Sequence, residues 1–516
     1  MSSGMLLVWP IALPMVTAVL TLVLRRSPTG NSVSLVGAVA LLAAGVALLR
    51  HVLEFGPISA QMGSWAAPFG ITLFADILSA AMVVIAGIVA VAVVIYSRQD
   101  VTEDERGVGF HALSHSLLVG VCGAFLTGDV FNLYVWFEVM LIASFGLLVI
   151  GGRRDQMDAA VKYVGLNLIA TLAFLTGVGI LYGAAGTLNM ADLHLTLADR
   201  QNETAVLAAA AMLLFAFGAK AAMFPVFAWL PASYHTPAFA TSALFAALLT
   251  KVGVYALLRV FTIVFDGSGG FLQPILLIGA VLTMVVGVLG AAAQNDVRRI
   301  LSFHIISQIG YMVLGLALFT PLAIIGAIFY LFHHIIVKAN LFFVAGVIRW
   351  KAGSEELDKI GGLLKASPLL AVLFLIPALS LAGVPPLSGF WAKFIIVQAS
   401  LEARDWWVAL AALAVGLITL FSMTKIWLAA FWKEHPDAEP AGMPVAPRSM
   451  IWPIATLAVM TVIIGIGAGP LYATAEEAAV TLLDPLAYVE VVLGSEAVAE
   501  ARAAEQKDLQ IAEVAQ

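Results

Sequence analysis

Seven ionisable side chains stand inside long apolar stretches of this 516-residue chain: Glu138, Lys220, Lys251, His333, His334, Lys338 and Lys393. Glu138 lies in VFNLYVWFEVMLIASFGLLVI, Lys220 in AAAAMLLFAFGAKAAMFPVFAWL and Lys251 in ATSALFAALLTKVGVYALL. A charge near the middle of a membrane helix costs on the order of 3 kcal/mol, so Glu138 and the four lysines together cost roughly 15 kcal/mol. A chain that keeps them must pair them or hydrate them. The chemistry that uses such groups is passage of a proton or another ion. A desolvated lysine can release its proton near neutral pH, and a histidine can take one and pass it on.

Each residue also has a plainer structural reading. Glu138 could tie two helices together as half of an ion pair. At about 4 Å and an effective dielectric near 20, a Glu–Lys pair is worth around 4 kcal/mol. Lys220 could snorkel towards an interface, whereas Lys251 stands nearer mid-helix, where snorkelling is harder. His334 and Lys338 are four residues apart and share one helix face, and His333 points elsewhere. No third ligand shares that face, so no metal site is expected. Lys393 follows a proline break in LAGVPPLSGFWAKF and is the candidate outer end of a lysine row. Asp76, Asp129 and His304 lie nearer helix ends, which favours structural or access roles. Lys425 sits close enough to a helix end to snorkel.

The elements that must position these groups follow from composition. The chain is 62% hydrophobic and 11% charged, where a soluble domain carries about 25% charged residues. It reads as an all-α polytopic membrane protein. The net charge of −6 gives no hint of nucleic-acid binding, and Cys122 is the one cysteine. No intrachain disulfide and no thiol-built zinc or iron–sulfur centre can come from it. We find no P-loop, dinucleotide fingerprint or Ser-His-Asp arrangement, so neither a catalytic role nor a cofactor is expected. The first apolar run, LLVWPIALPMVTAVLTLVL, has no basic residue before it and reads as a retained helix rather than a cleaved signal.

Fourteen apolar runs are long enough to span, from 6–24 to 450–472. Loops after odd-numbered runs hold Arg25, Arg26, Arg98, Arg106, Arg153, Arg154, Arg298, Arg299, Arg349 and Lys351, and those after even-numbered runs hold little beyond Arg200 and Arg404. The bias predicts odd loops in the cytoplasm and both termini outside. The runs divide the chain into a three-helix segment at 1–111, a five-helix unit at 112–263, a second at 264–432, and a last helix with an acidic tail at 433–516. Five is odd, so the second unit enters from the opposite side, which predicts an inverted repeat. The fourth helix of each unit pairs a lysine with a proline break: Lys220 before Pro225, and Pro385 and Pro386 before Lys393. Broken helices at membrane depth are tolerated where they line a cavity or are buried in protein. The tail from residue 473 on is too polar to span and is expected on a surface or on a partner.

The stretch GDVFNLYVWFEVMLIASFGLL resembles the fifth helix of the D-type membrane protein of Mrp-type multisubunit Na⁺/H⁺ antiporters. PVFAWLPASYHTPAFATSALFAALLTKVGVY is similar to the signature that protein shares with the antiporter-like membrane subunits of respiratory complex I. LSFHIISQIGYM, FHHIIVKANLFFVAG and LAGVPPLSGFWAKF match as well, and the resemblance covers about residues 1–472. It implies fourteen helices, two inverted five-helix bundles and a hydrophilic axis at mid-membrane. On that resemblance Glu138 and Lys220 form the family's glutamate–lysine pair, and Lys251 bridges. His334 relays with Lys338 beside it, and Lys393 is the terminal residue. Lysine at 393, and Gln308 where complex I subunits often carry histidine, favour the Mrp type.

The implied role is proton translocation in a multisubunit Na⁺/H⁺ antiporter of the bacterial plasma membrane, with other membrane subunits as partners and sodium handled mainly by them. The alternatives are a proton-pumping subunit of a complex I-like or hydrogenase-type redox complex, or a non-conducting scaffold.

Overall fold

An apolar surround offers the backbone no hydrogen bonds, so a chain this poor in polar side chains must close its own. The computed structural model describes residues 3–265, 270, 272–436 and 442–503. Among these, twelve helices are long and apolar enough to cross a membrane, and two shorter apolar helices, Phe110–Leu126 and Pro368–Ala382, accompany them. The fold is all-α and polytopic. A two-stranded antiparallel hairpin, Ile58–Gln61 against Thr72–Ala75, joins helix Gly30–Phe55 to helix Ile77–Asp100.

Burial sorts the helices into a core and a rim. The most apolar stretch of Phe239–Ile263 is 100% buried, while that of Gly4–Val23 is 33% buried. Val297–Leu318 and Pro321–Ala352 are almost as enclosed as the first. Lys251, His304, His333, His334 and Lys338 all belong to these three helices. Small residues allow the close approach that van der Waals packing in a membrane needs. At Gly253 a β-carbon would come within 2.5 Å of the Ala221 nitrogen and 2.9 Å of the Lys220 carbonyl carbon. Helix Phe239–Ile263 therefore lies directly against the end of helix Thr204–Ala221. Gly253→Ala is expected to cost about 1–3 kcal/mol through overpacking, read as a lowered Tm of the purified complex. An unchanged Tm would mean that this contact can open freely.

Both broken helices end in the same way. Helix Thr204–Ala221 stops at Ala222, which takes the left-handed conformation at φ 65, and the Met223 amide donates back to the Gly218 carbonyl at 2.8 Å. Helix Pro368–Ala382 stops at Gly383, at φ 93, and the Val384 amide donates to the Leu379 carbonyl at 3.0 Å. Each bond reaches back five residues, the closure that a left-handed cap produces. Pro225 in one case, and Pro385 and Pro386 in the other, then deny the helix a backbone donor for resuming at once. The chain restarts at Trp229–Ser233 and at Ser388–Glu402. The apolar runs at 204–230 and 368–400 are each two pieces.

The described part of the acidic tail lies on this chain itself. Helix Ala468–Leu483 packs against helix Pro321–Ala352, and helix Pro485–Leu493 folds back over the hairpin, where Ser59 Oγ donates to the Val491 carbonyl at 2.6 Å and the Tyr488 ring packs 4.4 Å from Phe74. Residues 1–2 and 504–516, with the extreme termini, lie outside the described residues.

Candidate functional site

Glu138 and Lys220 face one another without touching. Glu138 is half-buried and accepts a hydrogen bond from Thr171 Oγ1 at 2.7 Å. Lys220 is buried, and its Nζ lies 5.8 Å from the centroid of the Phe137 ring. The two form no ion pair, although Lys220 lies within electrostatic reach of Glu138. Beside Lys220 is a cavity of about 10 Å³ whose polar walls are Asn167, Thr171 and Lys220. That is roughly the room for one water molecule. The hydroxyl that holds Glu138 and the ammonium of Lys220 thus line one water-sized gap. Snorkelling, open to Lys220 from sequence, does not occur.

Lys251 is fully buried and donates to the Ala246 carbonyl. That carbonyl belongs to a π-helical turn, Phe245–Leu249, immediately before the lysine. A π turn widens the helix and loosens its usual hydrogen bonds, a device frequent at functional sites. Lys338 is equally buried and donates to the Leu301 carbonyl at 3.1 Å. His334, one turn before it, has no partner for either ring nitrogen among the described residues. His334 lies within electrostatic reach of Lys251 and Lys338, and Lys338 within reach of Lys251. Asn340, on the same helix, is buried and neither of its side-chain polar atoms has a partner among the described residues. Buried polar groups are almost always satisfied, by protein or by ordered water.

Beyond this cluster the row continues to the second broken helix. His304 bonds to Ser422 Oγ through Nε2, has no partner for Nδ1 among the described residues, and lies within reach of both Lys338 and Lys393. His333 points away from His334, as the spacing predicts, and its Nδ1 bonds to Ser388 Oγ at 2.8 Å. Ser388 opens the resumed helix, so His333 grips the break itself. Lys393 is buried and donates at 3.1 Å to the Ala382 carbonyl, one of those left free where the helix stops. Its Nζ also lies 5.0 Å from the centroid of the Tyr311 ring. The groups form one electrostatic series from Lys251 to Lys393. The series breaks between Lys220 and Lys251. At that break stands Thr250, fully buried with no partner for its hydroxyl among the described residues, one turn from the Gly253 contact with the Lys220 backbone.

Asp76 is held elsewhere. Its carboxylate takes both arms of Arg259, at 2.6 and 2.9 Å, and also the Ser79 amide and hydroxyl. Both partners are almost wholly buried. Arg259 escaped the sequence reading because it stands near a helix end, where an arginine normally reaches water. Asp76, an acid at the start of an apolar run with no basic residue close to it in sequence, was the signal. Arg298, read only as a loop charge, is likewise locked to Glu355 and to the Pro237 carbonyl. Lys425 snorkels, donating to the carbonyls of Ala292 and Gln294 at 3.2 and 2.7 Å. Just outside the spans, burial pushes the Asp129 carboxyl up to about 6, against the pull of its bond from the Asn132 amide. Burial pushes His235 down to about 4, helped by Arg299 and Arg298. Among the described residues, no group of three His, Cys, Asp or Glu side chains is placed to hold a metal ion.

A family model described as NADH:quinone oxidoreductase/Mrp antiporter, TM, matches residues 127–419, which contain every member of the row. The D component of the Na(+)/H(+) antiporter of Alkalihalophilus pseudofirmus is 44% identical over 490 residues, covering 95% of this chain and 99% of that one. A chain of the solved Mrp complex from a Dietzia species superposes with a TM-score of 0.89 at 34% identity, over 96% of this chain and 100% of that one. A chain of the membrane-bound sulfane sulfur reductase, an archaeal respiratory membrane complex, also gives 0.89, at 27% identity over 94% and 99% of the two chains.

Proposed function

Because this chain belongs to the NADH:quinone oxidoreductase/Mrp antiporter family of membrane proteins, we propose that it is the proton-translocating subunit of a multisubunit Na⁺/H⁺ antiporter. The observation that carries the reading is the buried row of Lys251, His334, Lys338, His304 and Lys393, with its unpartnered polar atoms, continued by Glu138 and Lys220. Relatives named as the D component of Na⁺/H⁺ antiporters support the choice of cation and of complex. Other membrane subunits are the partners. The setting is the bacterial plasma membrane, crossed fourteen times with both termini outside. Residues 112–263 and 264–432 act as the two inverted units, and their matching helix breaks support this.

In the mechanism, a proton arrives beside the first broken helix and is held on Lys220 while Glu138 stays near. When the carboxylate swings onto Thr171, the ammonium loses its counter-charge and its proton moves on. The Thr250 hydroxyl, which can accept and donate at once, bridges to Lys251. Water, His334 and Lys338 then hand the proton towards His304 and Lys393. One charge crossing 100 mV exchanges about 2.3 kcal/mol with the membrane potential, which drives cation export when more protons enter than cations leave. Thr250→Val keeps the shape and removes the bridge. It is expected to lower flux by about tenfold, or roughly 1.4 kcal/mol of barrier, and Thr250→Ser to keep it. Equal flux in both would place the bridge elsewhere.

The test of the whole reading is Na⁺-dependent collapse of a proton gradient in everted vesicles from an antiporter-deficient host expressing the complete complex. No response in vesicles that hold assembled complex would refute it. The similarity to a respiratory membrane complex favours one second reading, a proton-pumping module driven by redox chemistry. Iron–sulfur subunits copurifying with the chain would establish that reading instead.

A further inference from the structure

On the face opposite the hairpin, a cavity of about 640 Å³ opens beside the first two helices, and no member of the row lines it. We propose that it binds the headgroup of a phospholipid that carries both a phosphate and an ammonium, a phosphoethanolamine headgroup, drawn from the leaflet on that side. The inference is independent of the transport reading.

The walls carry both signs of charge. Arg25, Arg26 and Arg106 line the cavity together with Glu103 and Asp104. None of the five forms an ion pair among the described residues, although other arginines of this chain do. Arg106 reaches the Thr102 carbonyl at 3.4 Å. The guanidinium fork matches phosphate oxygens two at a time, and basic pockets between helices at a membrane face hold lipid headgroups.

Two further features border the cavity. The start of helix Gly30–Phe55 lines the cavity through Gly30 and Asn31, and its cap residue Thr29 supplies no side-chain bond. The Gly30 amide is taken by the Ser27 carbonyl at 3.1 Å, so what this end of the helix offers an anion is the positive end of its dipole. His111 also lines the cavity and is 5% exposed. Its Nε2 bonds to Asn31, and its Nδ1 has no partner among the described residues.

The surroundings select the source. Leu22, Val23 and Val36, on the helices either side of the Arg25–Asn31 turn, are exposed and apolar, Val23 to 77%. Acyl chains lie naturally along that surface. A free phosphate would leave both the apolar rim and the two carboxylates unused. A purely anionic headgroup would set its charge against Glu103 and Asp104.

The test is photo-crosslinking of a photoactivatable phosphatidylethanolamine to the assembled complex in nanodiscs, with labelled peptides mapped. Label is expected on the segments 21–31 and 103–111. Arg25→Gln with Arg26→Gln is expected to cut that label by about tenfold, with label elsewhere on the complex unchanged. Unlabelled phosphatidylethanolamine is expected to compete better than phosphatidylglycerol, and Glu103→Gln with Asp104→Asn to reverse that order. Undiminished label in the arginine variant would overturn the site. Equal competition by phosphatidylglycerol in the unmodified complex would overturn the headgroup. Full competition by millimolar inorganic phosphate would make it a free-phosphate site and overturn the lipid.

Discussion

Lys251→Ala is expected to abolish Na⁺-driven proton flux while the complex still assembles. The lysine is fully enclosed in the helix buried on all sides, so no solvent ion can replace it. It is also the first member of the series that His334, Lys338, His304 and Lys393 continue, and the one that stands at the gap to Lys220. Flux is expected to fall by more than about a hundredfold, a barrier increase of roughly 2.7 kcal/mol or more. Lys251→Arg is expected to fail as well, since an arginine keeps its charge but does not release the proton. Lys220→Ala and Glu138→Ala are expected to fail in the same assay. Lys425→Ala is the matched control, because that ammonium caps carbonyls at a helix end and lies off the row. Unimpaired flux in assembled Lys251→Ala would move the proton path to another subunit and leave this chain a scaffold.

The second large effect is on stability. Asp76→Asn is expected to cost about 3–5 kcal/mol, because it strands a buried guanidinium. Arg259 gains little elsewhere: its remaining contacts are Ser79 Oγ, the Tyr255 hydroxyl and the faces of Phe74 and Tyr255. Replacing both partners, Asp76→Leu with Arg259→Met, is expected to recover most of the loss, since a buried pair is worth little against apolar residues of similar volume. The measurement is a double-mutant cycle on the Tm of the purified complex. A double variant that is as stable as the wild type but loses flux would give the pair a part in transport. A double variant as unstable as the single one would show that the two groups serve different partners.

The sequence made the dangerous residues visible, because an ionisable group among twenty apolar ones contradicts its surroundings. Glu138, Lys220, Lys251, Lys338 and Lys393 were legible for that reason alone. The partition of His333 from His334 followed from helical spacing, and the breaks near Pro225 and Pro385 from the chemistry of proline. Pairings across long sequence separations were hidden. Nothing in the run around Asp76 names Arg259, and nothing near Arg298 names Glu355. The water-sized gap between Thr171 and Lys220 depends on helix placement to within an ångström. The fold-back of the tail depends on Tyr488 finding Phe74, a contact no periodicity encodes.

The π-helical turn before Lys251 has an evolutionary corollary. One residue added to an α-helix turns everything beyond it by about 100°. A relative with an ordinary α-helix there keeps its lysine on the same side only if it is one residue shorter between Phe245 and Leu249. Counting residues across that window therefore sorts the family. Homologues of equal length are expected to share the turn, and a single deletion there is expected to go with an ordinary α-helix.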